Sequence, residues 1–213
     1  MKKTIVSKTI SFALTLVMMV ACFPTFPVMA ATSNPFSDIS DHWAKNAILS
    51  VCDAEIVSGY GDGTVRPQNN ATRAEFTSMI VRMLNLSGMA ASDFVDVDTD
   101  AWYAEDVSVA FDKGLVQGQG EGKFNPNATI TREEAMVIVA NALAYLNVAD
   151  ESNEAVLSKF ADSDSISSWA KDAAALLATN GVISGSDGNL NPKANITRAE
   201  ICVIIDKVMK DYQ

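Results

Sequence analysis

The sequence contains five arginines, and three of them hold the same place in a repeated pentapeptide. The copies are Ala71-Thr72-Arg73-Ala74-Glu75, Ile130-Thr131-Arg132-Glu133-Glu134 and Ile196-Thr197-Arg198-Ala199-Glu200. Thr followed three residues later by Glu is a capping box: the hydroxyl takes the third helical amide and the carboxylate returns to the cap amide. Thr and Glu are therefore explained by a helix start. The arginine is not, because a cation in the first turn opposes the helix dipole by about 0.3–1 kcal/mol. An arginine beside free helix N–H groups could hold an anion, and its planar fork suits a carboxylate. The alternative is internal pairing, with an aspartate of the same or the next repeat. Ligand binding is the working expectation, and the two readings can hold in alternate states.

The elements that would carry these arginines recur with them. Each copy opens an apolar face: Phe76, Met79, Ile80 and Met83; Ala135, Ile138, Val139 and Ala142; Ile201, Ile204, Ile205 and Val208. Upstream stand Phe36-Ser37-Asp38, Phe94-Val95-Asp96 and Phe160-Ala161-Asp162, each followed by one of the three tryptophans, Trp43, Trp102 and Trp169. An amphipathic helix is predicted after each tryptophan. It stops at Gly114 and Gly181 in the later repeats, as a left-handed residue after the helix requires. Glu55 occupies that position in the first repeat, where the same backbone would cost about 1 kcal/mol. Loops beginning Ser58-Gly59, Gln117-Gly118 and Ser184-Gly185 then lead through Pro67, Pro126 and Pro192 to the pentapeptides. Such glycine density allows close approach of backbone amides to a ligand.

Residues 1–30 read as an export signal: Lys2, Lys3 and Lys8, then an apolar stretch from Ile10, then Val28-Met29-Ala30 for cleavage. Lipidation of Cys22 is the competing reading of this segment. Its removal leaves 13 of the 16 basic residues against 26 acidic ones, a net charge of −13. That balance excludes nucleic acid as a partner, which needs a broad basic face. No later stretch is apolar enough to span a bilayer. Cys52 and Cys202 are expected as free, buried thiols, with a disulfide between them as the alternative. The predicted division is 31–85, 94–144 and 160–213 for the repeats, with linkers at 86–93 and 145–159. The sequence ends directly after the third repeat, with no effector domain expected.

This series of Phe-x-Asp, Trp, helix, glycine loop, proline and Ile-Thr-Arg-Ala-Glu resembles the S-layer homology domain, in three copies. The resemblance implies a mainly helical, all-α unit of three helix-loop-helix repeats with pseudo-threefold symmetry. In that family the first helices meet in a central bundle, and the loops and second helices form three prongs separated by grooves. It implies non-covalent attachment to the cell surface through a secondary cell-wall polysaccharide carrying pyruvate ketals. Carried over, Arg73, Arg132 and Arg198 would meet the ligand carboxylate, and Ser58, Gly59, Gln117, Gly118, Ser184 and Gly185 would line the grooves. Trp43, Trp102 and Trp169 would contact sugar or wall the groove, with core packing as their alternative. Asp38, Asp96 and Asp162 would order the site, either by capping the adjacent turn or by touching ligand. Departures fall mostly in repeat one (Ala71, Val65, Glu55), with Gln117 and Glu133 in repeat two and a shortened loop in repeat three. Unequal grooves are expected, with Arg132 and Arg198 better placed than Arg73.

Other chemistry finds little support. Asp96, Asp98 and Asp100 suggest calcium, but Ala101 and Val107 stand where an EF-hand needs Gly and Glu. No metal or cofactor is expected. His42 is the sole histidine, read as a solvated residue at a helix start, and no nucleophile-plus-base constellation is visible, so no enzyme is expected. The alternatives to an anchoring module are a structural scaffold assembling with other surface-layer proteins, and a lipoprotein linking membrane to wall.

Overall fold

The computed structural model describes residues 35–88, 94–148 and 151–213; the expected export signal and Cys22 lie outside them. Each repeat supplies two helices: α1 Lys45–Asp53 and α2 Arg73–Met83, α3 Ala104–Asp112 and α4 Arg132–Tyr145, α5 Lys171–Thr179 and α6 Arg198–Tyr212. The longer linker holds a 3₁₀ turn at Glu154–Lys159. Among the described residues the only β pairing consists of isolated bridges, so the all-α expectation holds. No described helix is long and apolar enough to cross a membrane.

The capping boxes form as predicted at Thr72, Thr131 and Thr197, each with its glutamate three residues on. The first helices end as the glycine pattern requires. Glu55 takes φ 59° beside 71° at Gly114 and 66° at Gly181, so the first repeat keeps the left-handed turn despite its side chain. Closure of that turn is hydrogen-bonded, Ile56 N donating to the Val51 carbonyl and Glu55 N to Cys52.

The three lead-in segments of α2, α4 and α6 meet in a closed ring. Ala71 N donates to the Ile196 carbonyl, Ile196 N to Ile130, and Ile130 N to Ala71, each at 3.1 Å. The next two amides of each helix continue the pattern. Arg73, Arg132 and Arg198 N donate to Ala128, Ala194 and Asn69, while Ala74, Glu133 and Ala199 N donate to Pro126, Pro192 and Pro67. The helix starts are thus satisfied by the neighbouring repeat and are not free for an anion, which corrects one premise of the sequence reading.

Helix packing corrects a second expectation. The first helices do not meet one another: α3 packs on α2, α5 on α4, and α1 closes the circle on α6. The centre belongs to the second helices, α2 touching both α4 and α6. Their sequences explain this. α2 buries nine of its eleven residues, Thr77 and Ser78 among them, and α4 buries Ala135, Met136, Ile138, Val139, Ala142 and Leu143, whereas α1 buries only Ala47, Ile48 and Val51. A helix enclosed on most sides lies at the centre, and one that buries a single stripe lies at the periphery. Cys52 and Cys202, on the α1–α6 pair, are both free thiols; Cys202 is buried as expected, whereas Cys52 is only partly so.

Candidate functional site

Each glycine loop is held by the start of its own repeat. Asp38 accepts from Val65 N (3.1 Å) and Arg66 N (2.7 Å), Asp96 from Phe124 N and Asn125 N (2.8 Å each), and Asp162 from Leu190 N (2.8 Å) and Asn191 N (2.6 Å). The carboxylates are consumed by these backbone amides and line none of the three grooves. Asp38, Asp96 and Asp162 therefore order the loops. The preceding phenylalanine presses on the loop glycine. A Cβ would lie 2.5 Å from the Phe36 ring at Gly59, 2.9 Å from Phe94 at Gly118, and 2.9 Å from Phe160 at Gly185. Glycine is required there by close approach.

Beside each loop lies a groove, and each groove is assembled from all three repeats. Groove 1 combines Ser58 and Gly59 of repeat one, Trp102 of repeat two and Arg198 of repeat three. Groove 2 combines Gln117 and Gly118 with Trp169 and Arg73. Groove 3 combines Ser184 and Gly185 with Trp43 and Arg132. Cavity volumes are about 190, 550 and 450 Å³ in that order. The tryptophans are 66% (Trp43), 62% (Trp102) and 57% (Trp169) exposed, which removes core packing as their role. Each indole leaves a flat apolar face open beside polar groups.

The arginines cross between repeats. Arg73 Nε donates to the Phe124 carbonyl (3.0 Å), Nη2 to the Gln117 carbonyl (3.2 Å) and Nη1 to Glu134 (3.3 Å). Arg198 repeats this on Val65, Ser58 and Glu75, and Arg132 on Leu190 and Glu200. The internal partner is thus a glutamate of the neighbouring capping box, not the aspartate that was weighed. Burial pushes Arg73 below its ordinary pKa, with the Glu134 charge opposing that shift. An arginine has five N–H donors, so these bonds leave two on Arg73 and two on Arg198.

This crossing separates each arginine from the departures of its own repeat. Arg73 lines groove 2, beside the loop of repeat two. Of the repeat-one departures, Val65 touches Arg198 of groove 1 through its backbone carbonyl.

Several lining residues went unrecognised in the sequence. Glu75, Glu134 and Glu200 do double service, each fixing its helix start and an arginine. Tyr60 and Gln119, two positions beyond Ser58 and Gln117, bond Glu75 (3.2 Å) and Glu134 (2.7 Å) respectively. Arg82 and Asn141, nine residues after the motif arginines, donate to the carbonyls of Ile56 (3.3 Å) and Leu115 (3.0 Å). Repeat alignment was the available signal for these positions. His42 is not simply solvated: its Nδ1 accepts from Ala44 N at 3.1 Å, and its Nε2 lies 2.7 Å from the Gln68 amide, which caps the chain beside Trp43.

The S-layer homology domain model matches residues 35–77, 93–136 and 159–202. Over 172 residues, or 80% of the sequence, there is 40% identity to an amylopullulanase of Thermoanaerobacterium thermosulfurigenes and to the exoglucanase XynX of Acetivibrio thermocellus. Identity to the surface-layer 125 kDa protein of Lysinibacillus sphaericus is 33% over 186 residues, or 85% of the sequence. The matches span 9%, 16% and 15% of those three proteins, so this chain corresponds to a small part of each.

Proposed function

The chain belongs to the S-layer homology domain family, with three tandem copies, and from that premise we propose that it anchors non-covalently to the cell surface. It does so by holding an acidic, pyruvylated secondary cell-wall polysaccharide in its inter-repeat grooves. In this reading residues 1–30 direct its export, and the repeats run over 31–85, 94–144 and 160–213. The relatives named as surface-layer proteins support a cell-wall location. The observation that carries the reading is the threefold recurrence of one groove, with an arginine, a glycine loop and an exposed tryptophan drawn from three different repeats. A stacking platform beside a fixed guanidinium suits a sugar bearing a carboxylate. The internal glutamates do not exhaust the arginines; they hold them in place while spare N–H donors remain.

The test is sedimentation of the protein with wall sacculi before and after chemical removal of the secondary polysaccharide. Binding that is lost on stripping supports the proposal, and equal binding to stripped walls contradicts it. No catalytic role is proposed.

A further inference from the structure

The three grooves differ in charge. Grooves 2 and 3 each contain one arginine and one glutamate, Arg73 with Glu134 and Arg132 with Glu200. Groove 1 contains two arginines, Arg198 and Arg82, against the single Glu75. Of the five arginines, Arg66, Arg73, Arg132 and Arg198 each pair with a carboxylate. Among the described residues Arg82 has no carboxylate partner; its bond is to the Ile56 carbonyl. The corresponding position is Asn141 in repeat two and Lys207 in repeat three, where Lys207 turns to Asp211 at 2.7 Å. A surplus cation in a groove of a strongly acidic protein focuses positive potential at one place.

We infer that Arg82 makes groove 1 the anion-selecting groove, seating a carboxylate-bearing sugar between Arg82 and Arg198 over Trp102, while the charge-balanced grooves 2 and 3 take uncharged sugar units. This rests on the groove-binding reading and refines it. The walls of groove 1 fit the assignment. Its cavity is the smallest, as suits a terminal or substituted residue more than a length of polymer. Tyr60 closes one side, its hydroxyl on Glu75 at 3.2 Å and its ring 4.9 Å from the Arg198 guanidinium and 4.0 Å from that of Arg66. These contacts hold Glu75 and Arg198 in place; Arg82, bonded to the Ile56 carbonyl and paired with no carboxylate among the described residues, faces an incoming charge. Grooves 2 and 3 offer instead the neutral donors and acceptors of Gln119, Asn141 and Gln68, the pattern that hydroxyl groups need.

The three tryptophans give each groove its own reporter, since one indole N–H resonance belongs to each. The experiment titrates the ¹⁵N-labelled protein with two methyl hexosaminides, one carrying a 4,6-O-pyruvate ketal and the other an uncharged 4,6-O-isopropylidene ketal. The Trp102 signal should respond to the acidic probe at about three- to tenfold lower concentration than to the neutral one, a modest ratio because Arg82 is solvent-exposed. The ratio should shrink as salt is added. Trp43 and Trp169 should show little preference between the probes. Arg82→Gln should bring the Trp102 ratio to about one while leaving the other two signals unchanged, and Arg82→Lys should retain most of it. An acidic preference at Trp43 or Trp169 equal to that at Trp102, or a ratio untouched by Arg82→Gln, overturns the inference while leaving groove binding intact. No response of any indole to either probe overturns both.

Discussion

Arg73 Nη1 of the first repeat closes on Glu134 Oε1 of the second at 3.3 Å, and the same glutamate holds the start of α4 through Thr131 N at 2.8 Å. One carboxylate thereby fixes a helix terminus and the cation that reaches it from the preceding repeat. The pairs Arg132–Glu200 and Arg198–Glu75 carry the relation around the ring. These arginines therefore serve folding as well as the proposed binding, and the two roles can be separated.

Replacing Arg73 by Ala removes one ion pair and two bonds to backbone carbonyls, that of Phe124 being buried. Chemical denaturation should show a loss of about 2–4 kcal/mol, between the cost of a charge-assisted hydrogen bond and that of breaking a buried pair. A change below about 0.5 kcal/mol would mean that the arginine is held for ligand alone.

Trp169→Ala should behave oppositely. The side chain is more than half exposed, so stability should move by no more than about 0.5 kcal/mol while wall binding weakens. Comparing the urea midpoint with sacculus affinity checks both halves.

Glu55→Gly removes a side chain from a left-handed position at φ 59°. A gain of up to about 1 kcal/mol is expected, read as a raised urea midpoint at unchanged slope. Gly118→Ala should lose about 1–3 kcal/mol, because the new Cβ meets the Phe94 ring at 2.9 Å and the Lys123 carbonyl at 3.0 Å.

Burial pushes the Cys52 thiol up to about 11 and Cys202 to about 12, from an ordinary value near 9. A thiol whose folded pKa is raised contributes stability that is full below about pH 9. That contribution is lost as pH climbs towards 11–12, by up to about 1.4 kcal/mol per pH unit per group. Stability measured from pH 8.5 to 10.5 should therefore fall less steeply in Cys202→Ala than in the parent. The folded thiols should also react slowly with a disulfide reagent at pH 8 and quickly in denaturant.

The repeat, its helices and the groove components were legible because each rests on a local rule. Thr72 and Glu75 declare a helix start, Gly114 its predecessor's end, and recurrence joins them. What the sequence could not convey is which repeat each part serves. Arg73 lies two residues before Glu75 in sequence but bonds Glu134, because the ring of lead-in segments turns each helix start onto the neighbouring loop. The same non-local geometry explains why the first helices were misplaced at the centre. The aspartates were ambiguous for a different reason: an exposed carboxylate and a loop-capping carboxylate look alike until the amides of Phe124 and Asn125 are seen to point at Asp96. Repeat alignment could place Arg82 but not weigh it, since its meaning lies in lacking, among the described residues, the carboxylate partner that the other four arginines have.

The central claim is that each groove is composed of three repeats, and a double-mutant cycle on wall affinity tests it most directly. Arg73→Lys, which keeps the charge but loses the fork, is combined with Trp169→Ala and separately with Trp43→Ala. Arg73 and Trp169 share groove 2, so their losses in affinity for polysaccharide-bearing sacculi should be non-additive by at least about 0.5 kcal/mol. Arg73 and Trp43 belong to one repeat but to different grooves, and their losses should add. Coupling between Arg73 and Trp43, with additivity between Arg73 and Trp169, would contradict the account.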